Sequence, residues 1–190
     1  MVSPFLFFAD ERLSLAELSA ACLDGILVPL GEGFMPADAA ETAWMRGRSL
    51  APLLGERWAA VRASAAWVHG AVSVEPTRHH VQRVSPTRQR ALSDARTVYH
   101  DVRLPLGDTV VVGGVPVSTP ARALVDLARA DSEEERRIAR RWAVDDRGAR
   151  RAAVTWLERH PRFPYGRRAA ELLSAVDTER TVGLESLRTM

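Results

Sequence analysis

Apolar and polar positions alternate most sharply between residues 106 and 129, LGDTVVVGGVPVSTPARALVDLAR. Val110, Val111 and Val112 precede Gly113-Gly114, and Val115, Pro116 and Val117 follow. The pattern predicts a tight hairpin whose turn needs the positive φ angles that glycine tolerates. Ser118 and Thr119 then offer a helix cap, and Pro120 suits a first helical turn. Ala121, Leu124, Val125 and Ala128 recur at i, i+3, i+4 and i+7, which predicts an amphipathic helix with Arg122, Asp126 and Arg129 pointing away from its apolar face.

Upstream, a helix is predicted from Ser14 to about Cys22. Gly25 then leads into a hairpin of Ile26 to Leu30 and Gly33 to Ala37, and this helix plus hairpin reads as the end of a winged helix. Asp38 is expected to cap a helix through Leu54, with Ala43, Trp44, Gly47, Leu50 and Leu54 turned inward. Within Arg57 to Gly70 the run ASAAWVHG offers small residues for close approach, while Trp58 and Trp67 fill volume. Strands are expected at His79 to Ser85 and Thr97 to Leu104. Past Arg129 the pattern becomes helical near 133–144, 149–159 and 166–176. A Ser132/Glu135 capping box opens the first of these, and Asp145-Asp146 with Gly148, then Pro161 and Pro164, separate them. The expected fold is α+β: a degenerate winged-helix-like module over residues 1–42, a small mixed-sheet domain over 43–130, a helical C-terminal part over 131–178 and a tail over 179–190.

Composition narrows the classes. The chain has 190 residues and is 46% hydrophobic, enough for a proper core. No apolar run approaches the roughly 18 residues of a membrane helix, and SPFLFFADER lacks a signal peptide's basic start and cleavage site. No membrane partner is therefore expected. One cysteine, Cys22, leaves no intramolecular disulfide and no thiolate metal cluster, which fits a cytoplasmic location. All 26 basic residues are arginine. Without lysine, Schiff-base chemistry and a Walker A loop are excluded.

Charge is distributed unevenly. Residues 1–41 carry seven carboxylates against Arg12, a net −6, whereas Arg136 to Arg168 carry eleven arginines against Asp145, Asp146 and Glu158, a net +8. At 100° per residue, Arg136, Arg137, Arg140 and Arg141 share one arc, opposite Ile138, Ala139 and Trp142. The next helix repeats the arrangement: Arg147, Arg150 and Arg151 lie on one side, with Ala152, Ala153, Trp156 and Leu157 behind. Guanidinium groups on a rigid helix suit bidentate contact with phosphate oxygens, so these seven arginines are the candidate nucleic-acid-binding residues. The alternative is a solvated basic face, partly neutralised by Glu133, Glu134 and Glu135.

Catalytic patterns are weak. His79 and His80 are strand neighbours and point to opposite faces, which disfavours a shared zinc site. Ser64, His69 and the aspartates form no nucleophile elbow. Tyr99, His100 and Asp101 alternate sides of a strand, and Cys22 reads as a core residue. No catalytic residue, metal or cofactor is expected.

The order ILVPLGEGFMPAD, then ASAAWVHG, then TVYHDVRLPLGDTVVVGGVPVSTPARALVDLAR resembles the AbiEi family of type IV toxin–antitoxin antitoxins, especially divergent actinobacterial members, over most of residues 13–175. The resemblance implies an N-terminal winged helix that binds operator DNA for autorepression. It also implies a C-terminal domain that counteracts a nucleotidyltransferase toxin without forming a stable complex. The partners implied are therefore duplex DNA, the chain's own operator, and a functional link to such a toxin. This chain departs from the pattern in its hairpin, which carries Glu32 and no arginine. A module at −6 repels phosphates, so DNA contact is expected at the arginine helices rather than at residues 14–36.

A second stretch, LERHPRFPYGRR followed by ELLSAVDTERTVGLESLRTM, is similar to a linker that leads into a Vsr-like nuclease domain. It keeps Glu185 but lacks the downstream Asp…Glu-x-Lys strands, and a chain without lysine cannot supply that motif. Two further readings stay open beside the antitoxin-like regulator. One is a nucleic-acid-positioning remnant of a nuclease-linked protein; the other is a protein-interaction module whose acidic N-terminus contacts a basic partner.

Overall fold

The computed structural model describes residues 5–85 and 95–176. The tail over 179–190, with Glu185, lies outside the described residues. Ser14 opens α1 (Leu15–Leu23) with a reciprocal capping box: its hydroxyl accepts from the Glu17 N–H, and the Glu17 carboxylate accepts from the Ser14 N–H at 2.8 Å. β1 (Leu27–Leu30) and β2 (Gly33–Pro36) follow as an antiparallel hairpin, and Phe7 pairs with Phe34 beside it.

The next helix differs from expectation. It begins after Thr42, whose hydroxyl accepts from the Met45 N–H at 3.2 Å, and not after Asp38, which lies in a turn. It also breaks at Leu50 into α2 (Ala43–Ser49) and α3 (Ala51–Leu54), with Pro52 in the first turn of α3. The buried positions of α2 are Met45, Gly47 and Ser49, and Trp44 stands 47% exposed.

A five-stranded sheet forms the middle of the molecule. Its strands are β3 (Trp58–Ala60), β4 (His79–Arg83), β5 (Thr97–His100), β6 (Thr109–Val112) and β7 (Val115–Ser118), in the order β5-β4-β3-β7-β6. β4 with β5 and β3 with β7 are parallel; the other two pairings are antiparallel. α4 (Arg62–Val68) follows β3 and buries Trp67. The hairpin pairs Val110 with Val117, Val111 with Pro116, and Val112 with Val115. Gly113 and Gly114 take φ of 61° and 84° in the turn.

The hairpin tip sits directly on α2. A Cβ on Gly47 would lie 2.4 Å from the Val112 carbonyl oxygen, a backbone atom that cannot step aside. Gly47→Ala is accordingly expected to cost about 1–3 kcal/mol through overpacking. Urea unfolding of the variant checks this, and unchanged stability would mean that the contact is slack.

α5 (Pro120–Ala128) is capped by Thr119, and Leu124, Val125 and Ala128 are fully buried. Arg122 and Asp126 are buried as well, instead of facing water, because α5 is covered by other elements on both sides. α4 and α6 (Glu133–Asp145) pack against it, as does α7 (Arg147–Arg159). Asp146 caps α7, accepting from the Ala149 N–H at 2.9 Å, and residues 166–176 form α8. The box predicted at the start of α6 is half formed. Ser132 accepts from the Glu135 N–H, but the Glu135 side chain turns inward to Arg62. One apolar cluster runs from Leu6, Leu30 and Met35 through Trp58, Trp67 and Leu124 to Trp142, Leu157 and Leu173.

Candidate nucleic-acid interface

Buried charge holds α5, α7 and the approach to the hairpin in place. The Arg122 guanidinium donates to Asp108 at 2.7 Å and to Asp126 at 2.8 Å, and Arg129 donates to the other oxygen of Asp126 at 2.9 Å. Trp156 Nε1 on α7 donates to Asp108 at 2.6 Å. The Arg122 and Arg129 guanidiniums also lie 4.8 and 4.5 Å from the centre of the Phe163 ring. This network was not read from the sequence. The Arg122/Asp126 spacing of i, i+4 was its one local signal.

On that frame α6 buries Ala139, Trp142 and Ala143, while α7 buries Ala149, Ala153 and Leu157. Ala152 is exposed rather than behind its helix. The seven candidate arginines divide into two groups. Arg136 is half-buried and donates to the carbonyls of Ala130 and Asp131 at 2.7 and 2.8 Å as well as to Glu133, so it fastens the start of α6. Arg140 also reaches Glu133, at 2.7 Å, and these two guanidiniums, Arg140 first, hold the Glu133 carboxyl down at about 2. Arg141 pairs with Asp145 at 3.1 Å, and Arg150 is half-buried and engaged within the protein. Arg137, Arg147 and Arg151 are exposed, and among the described residues no side-chain hydrogen bond or ion pair involves them.

The four arginines of α6 straddle its solvent side. Arg136 and Arg140 line a groove of 450 Å³ against α8, together with Arg168 and Glu171. Arg141 borders a larger groove of 570 Å³ between α6 and residues 70–76, with Val72, Val74 and Ile138 in its wall. Arg137 lies between them on the wheel, and Arg147 and Arg151 of α7 are exposed as well.

The N-terminal module offers phosphate nothing comparable. α1 contains no arginine, and the tip of its hairpin is turned into the body of the protein. The Gly31 N–H donates to Glu75 at 2.9 Å, the Glu32 N–H donates to the Ser49 carbonyl at 3.1 Å, and Arg96 donates to the Glu32 carboxylate at 2.6 Å.

Two polar clusters occupy the sheet. Ser64, His79 and Glu75 form a chain of 3.2 and 3.1 Å contacts with the connectivity of a hydrolytic triad. Ser64 is fully buried and its hydroxyl accepts from the His80 N–H at 2.8 Å, so no substrate reaches it and the chain is structural. On the opposite side of β4, His80 Nδ1 meets His100 Nε2 at 3.1 Å, next to Glu135, which is itself 3.5 Å from Arg62. Among the described residues no group of three or more His, Cys, Asp or Glu is placed to hold a metal ion.

Burial pushes both His80 and His100 down to about 4 from an ordinary 6.5. The unfolded chain therefore binds protons that the folded one refuses as pH falls from 6.5 to 4, and stability is lost across that window. Burial raises the Glu135 carboxyl, whose contribution is present below 4.5 and lost as pH rises through its folded value; it opposes the histidines in part. Melting temperature is expected to fall between pH 6.5 and 4, and to fall less in His80→Gln/His100→Gln. A profile identical in the variant would contradict the assignment.

Residues 58–139 match the family model described as the AbiEi antitoxin C-terminal domain. No curated protein matches the chain. The match begins at β3, takes in the sheet, the hairpin, α4 and α5, and ends within α6, so it contains two of the candidate arginines, Arg136 and Arg137. Among the described residues no helix is long and apolar enough to cross a membrane. Residues 58–139 are thus similar to the C-terminal domain of AbiEi antitoxins, a similarity that supports an antitoxin-like regulatory role.

Proposed function

We propose that this protein is a non-catalytic regulator of a type IV toxin–antitoxin system and that it binds duplex DNA through the solvent faces of α6 and α7. The observation that carries this reading is the contrast between the two ends of the molecule. The wing tip is tied down by Glu75, Ser49 and Arg96, whereas Arg137, Arg147 and Arg151 stand exposed with no partner among the described residues. Arg136, Arg140, Arg141 and Arg150 flank those three and would exchange internal partners for phosphate at the edge of the contact. Such contacts position the protein on the duplex and carry little sequence information.

Charge reversal tests the reading. Arg137→Glu/Arg147→Glu/Arg151→Glu is expected to abolish mobility shifts with the chain's own upstream region and with random duplex alike, at unchanged melting temperature. Full binding by that variant would overturn the reading, as would loss of binding when Glu32 alone is replaced by alanine with the fold intact.

A further inference from the structure

α1 is exposed in a way that a solvated helix is not. Of its nine residues only Leu18 is buried. The outward arc holds Leu15, Ala16, Ser19, Ala20 and Leu23 and carries no charge, with Leu15 61% and Leu23 91% exposed. Ile26, which follows the helix and whose N–H donates to the Ala21 carbonyl at 2.9 Å, is also exposed, at 62%. An uncharged helix face of this kind is ordinarily covered, and an exposed apolar patch marks an interaction site.

The fringe of this surface states the chemistry of what covers it. Glu11 precedes α1, Glu17 lies in its first turn, Asp24 caps its end and Asp38 follows the hairpin, all exposed, and Arg12 is the one arginine among residues 5–41. Nucleic acid is repelled by such a rim, and so is a second copy of the same acidic surface. We propose that the outer face of α1, with Ile26, docks a protein partner whose contact patch has an apolar centre and a basic fringe. This deepens the regulatory role argued above by giving the protein a partner-binding face separate from its arginine face. The apolar centre supplies affinity, and the acidic rim selects a basic partner and speeds encounter.

The full chain tests this with two labelled synthetic helical peptides that share one leucine face and differ only in fringe, arginine in one and glutamate in the other. The arginine-fringed peptide is expected to bind about tenfold or more tightly than the glutamate-fringed one, with affinity falling as salt rises. Leu15→Glu/Leu23→Glu should remove the binding. Both side chains are exposed, so melting temperature should be unchanged. Glu17→Gln/Asp24→Asn should narrow the preference between peptides. Equal affinity for the two peptides, or binding indifferent to Leu15→Glu/Leu23→Glu, would overturn the proposal. So would sedimentation showing a dimer that this variant dissociates, because a second copy would then cover the face. Loss of duplex binding in the same variant would assign the surface to DNA and overturn the proposal too. Failure of the arginine-face reading shows instead in the charge-reversal variant, so the two outcomes are distinguishable.

Discussion

Asp126→Ala is expected to destabilise the protein by about 3–5 kcal/mol, the usual consequence of removing one partner from a buried ion pair. Asp126 has no solvent exposure and binds two arginines, Arg122 through one oxygen and Arg129 through the other. Arg122 is itself buried, so the substitution leaves its guanidinium with Asp108 alone and a cavity where the carboxylate stood. The loss should spread to α7, because Trp156 reaches the same Asp108. Urea unfolding with fluorescence detection reads both effects. Less than about 1 kcal/mol of destabilisation would mean that the network relaxes or takes in water at little cost.

Leu124→Ala should cost about 2–5 kcal/mol by a different route, lost burial plus the cavity left behind. Leu124 is fully buried on a helix packed by α4, α6 and α7, so its surroundings have little freedom to collapse into the gap. Arg129→Ala should cost clearly less. Its side chain is 21% exposed and Asp126 keeps Arg122 when it is gone, although the contact with the Phe163 ring is lost. A ranking with Arg129→Ala above Leu124→Ala would show that surface charge, not the apolar face, anchors α5.

Much of the fold is legible in the chain because its signals are local. Gly113-Gly114 between two valine runs specifies both turn and register, and Thr119-Pro120 starts α5 where the cap chemistry directs. The displaced cap at Thr42 shows the limit of such reasoning. Asp38 and Thr42 are both competent caps, and the close approach of Gly47 to Val112, a contact distant in sequence, accompanies the later start. Glu135 shows the same limit. The capping spacing was correct, but a carboxylate within reach of Arg62 and His80 turns inward to them instead.

The arginine surface was legible as a pair of faces and not as a set of free charges. A helical wheel places Arg136, Arg137, Arg140 and Arg141 together. It does not show that Glu133 takes two of them, that Asp145 takes a third, or that Arg136 bonds backbone carbonyls. The fastening of the wing by Glu75 and Arg96 was beyond local reading, since those residues lie in distant loops. The acidity of the module, a net −6 over residues 1–41, was legible directly from the sequence.

Which end of the molecule meets DNA is tested most directly by a salt titration of duplex binding. Wild type should lose affinity steeply with salt, with a slope of about −0.9 per phosphate neutralised. Arg137→Ala/Arg151→Ala should flatten the slope by up to about two units and weaken operator and random duplex alike. An unchanged slope in that double variant would contradict the account and return the arginines of α6 and α7 to a solvated face.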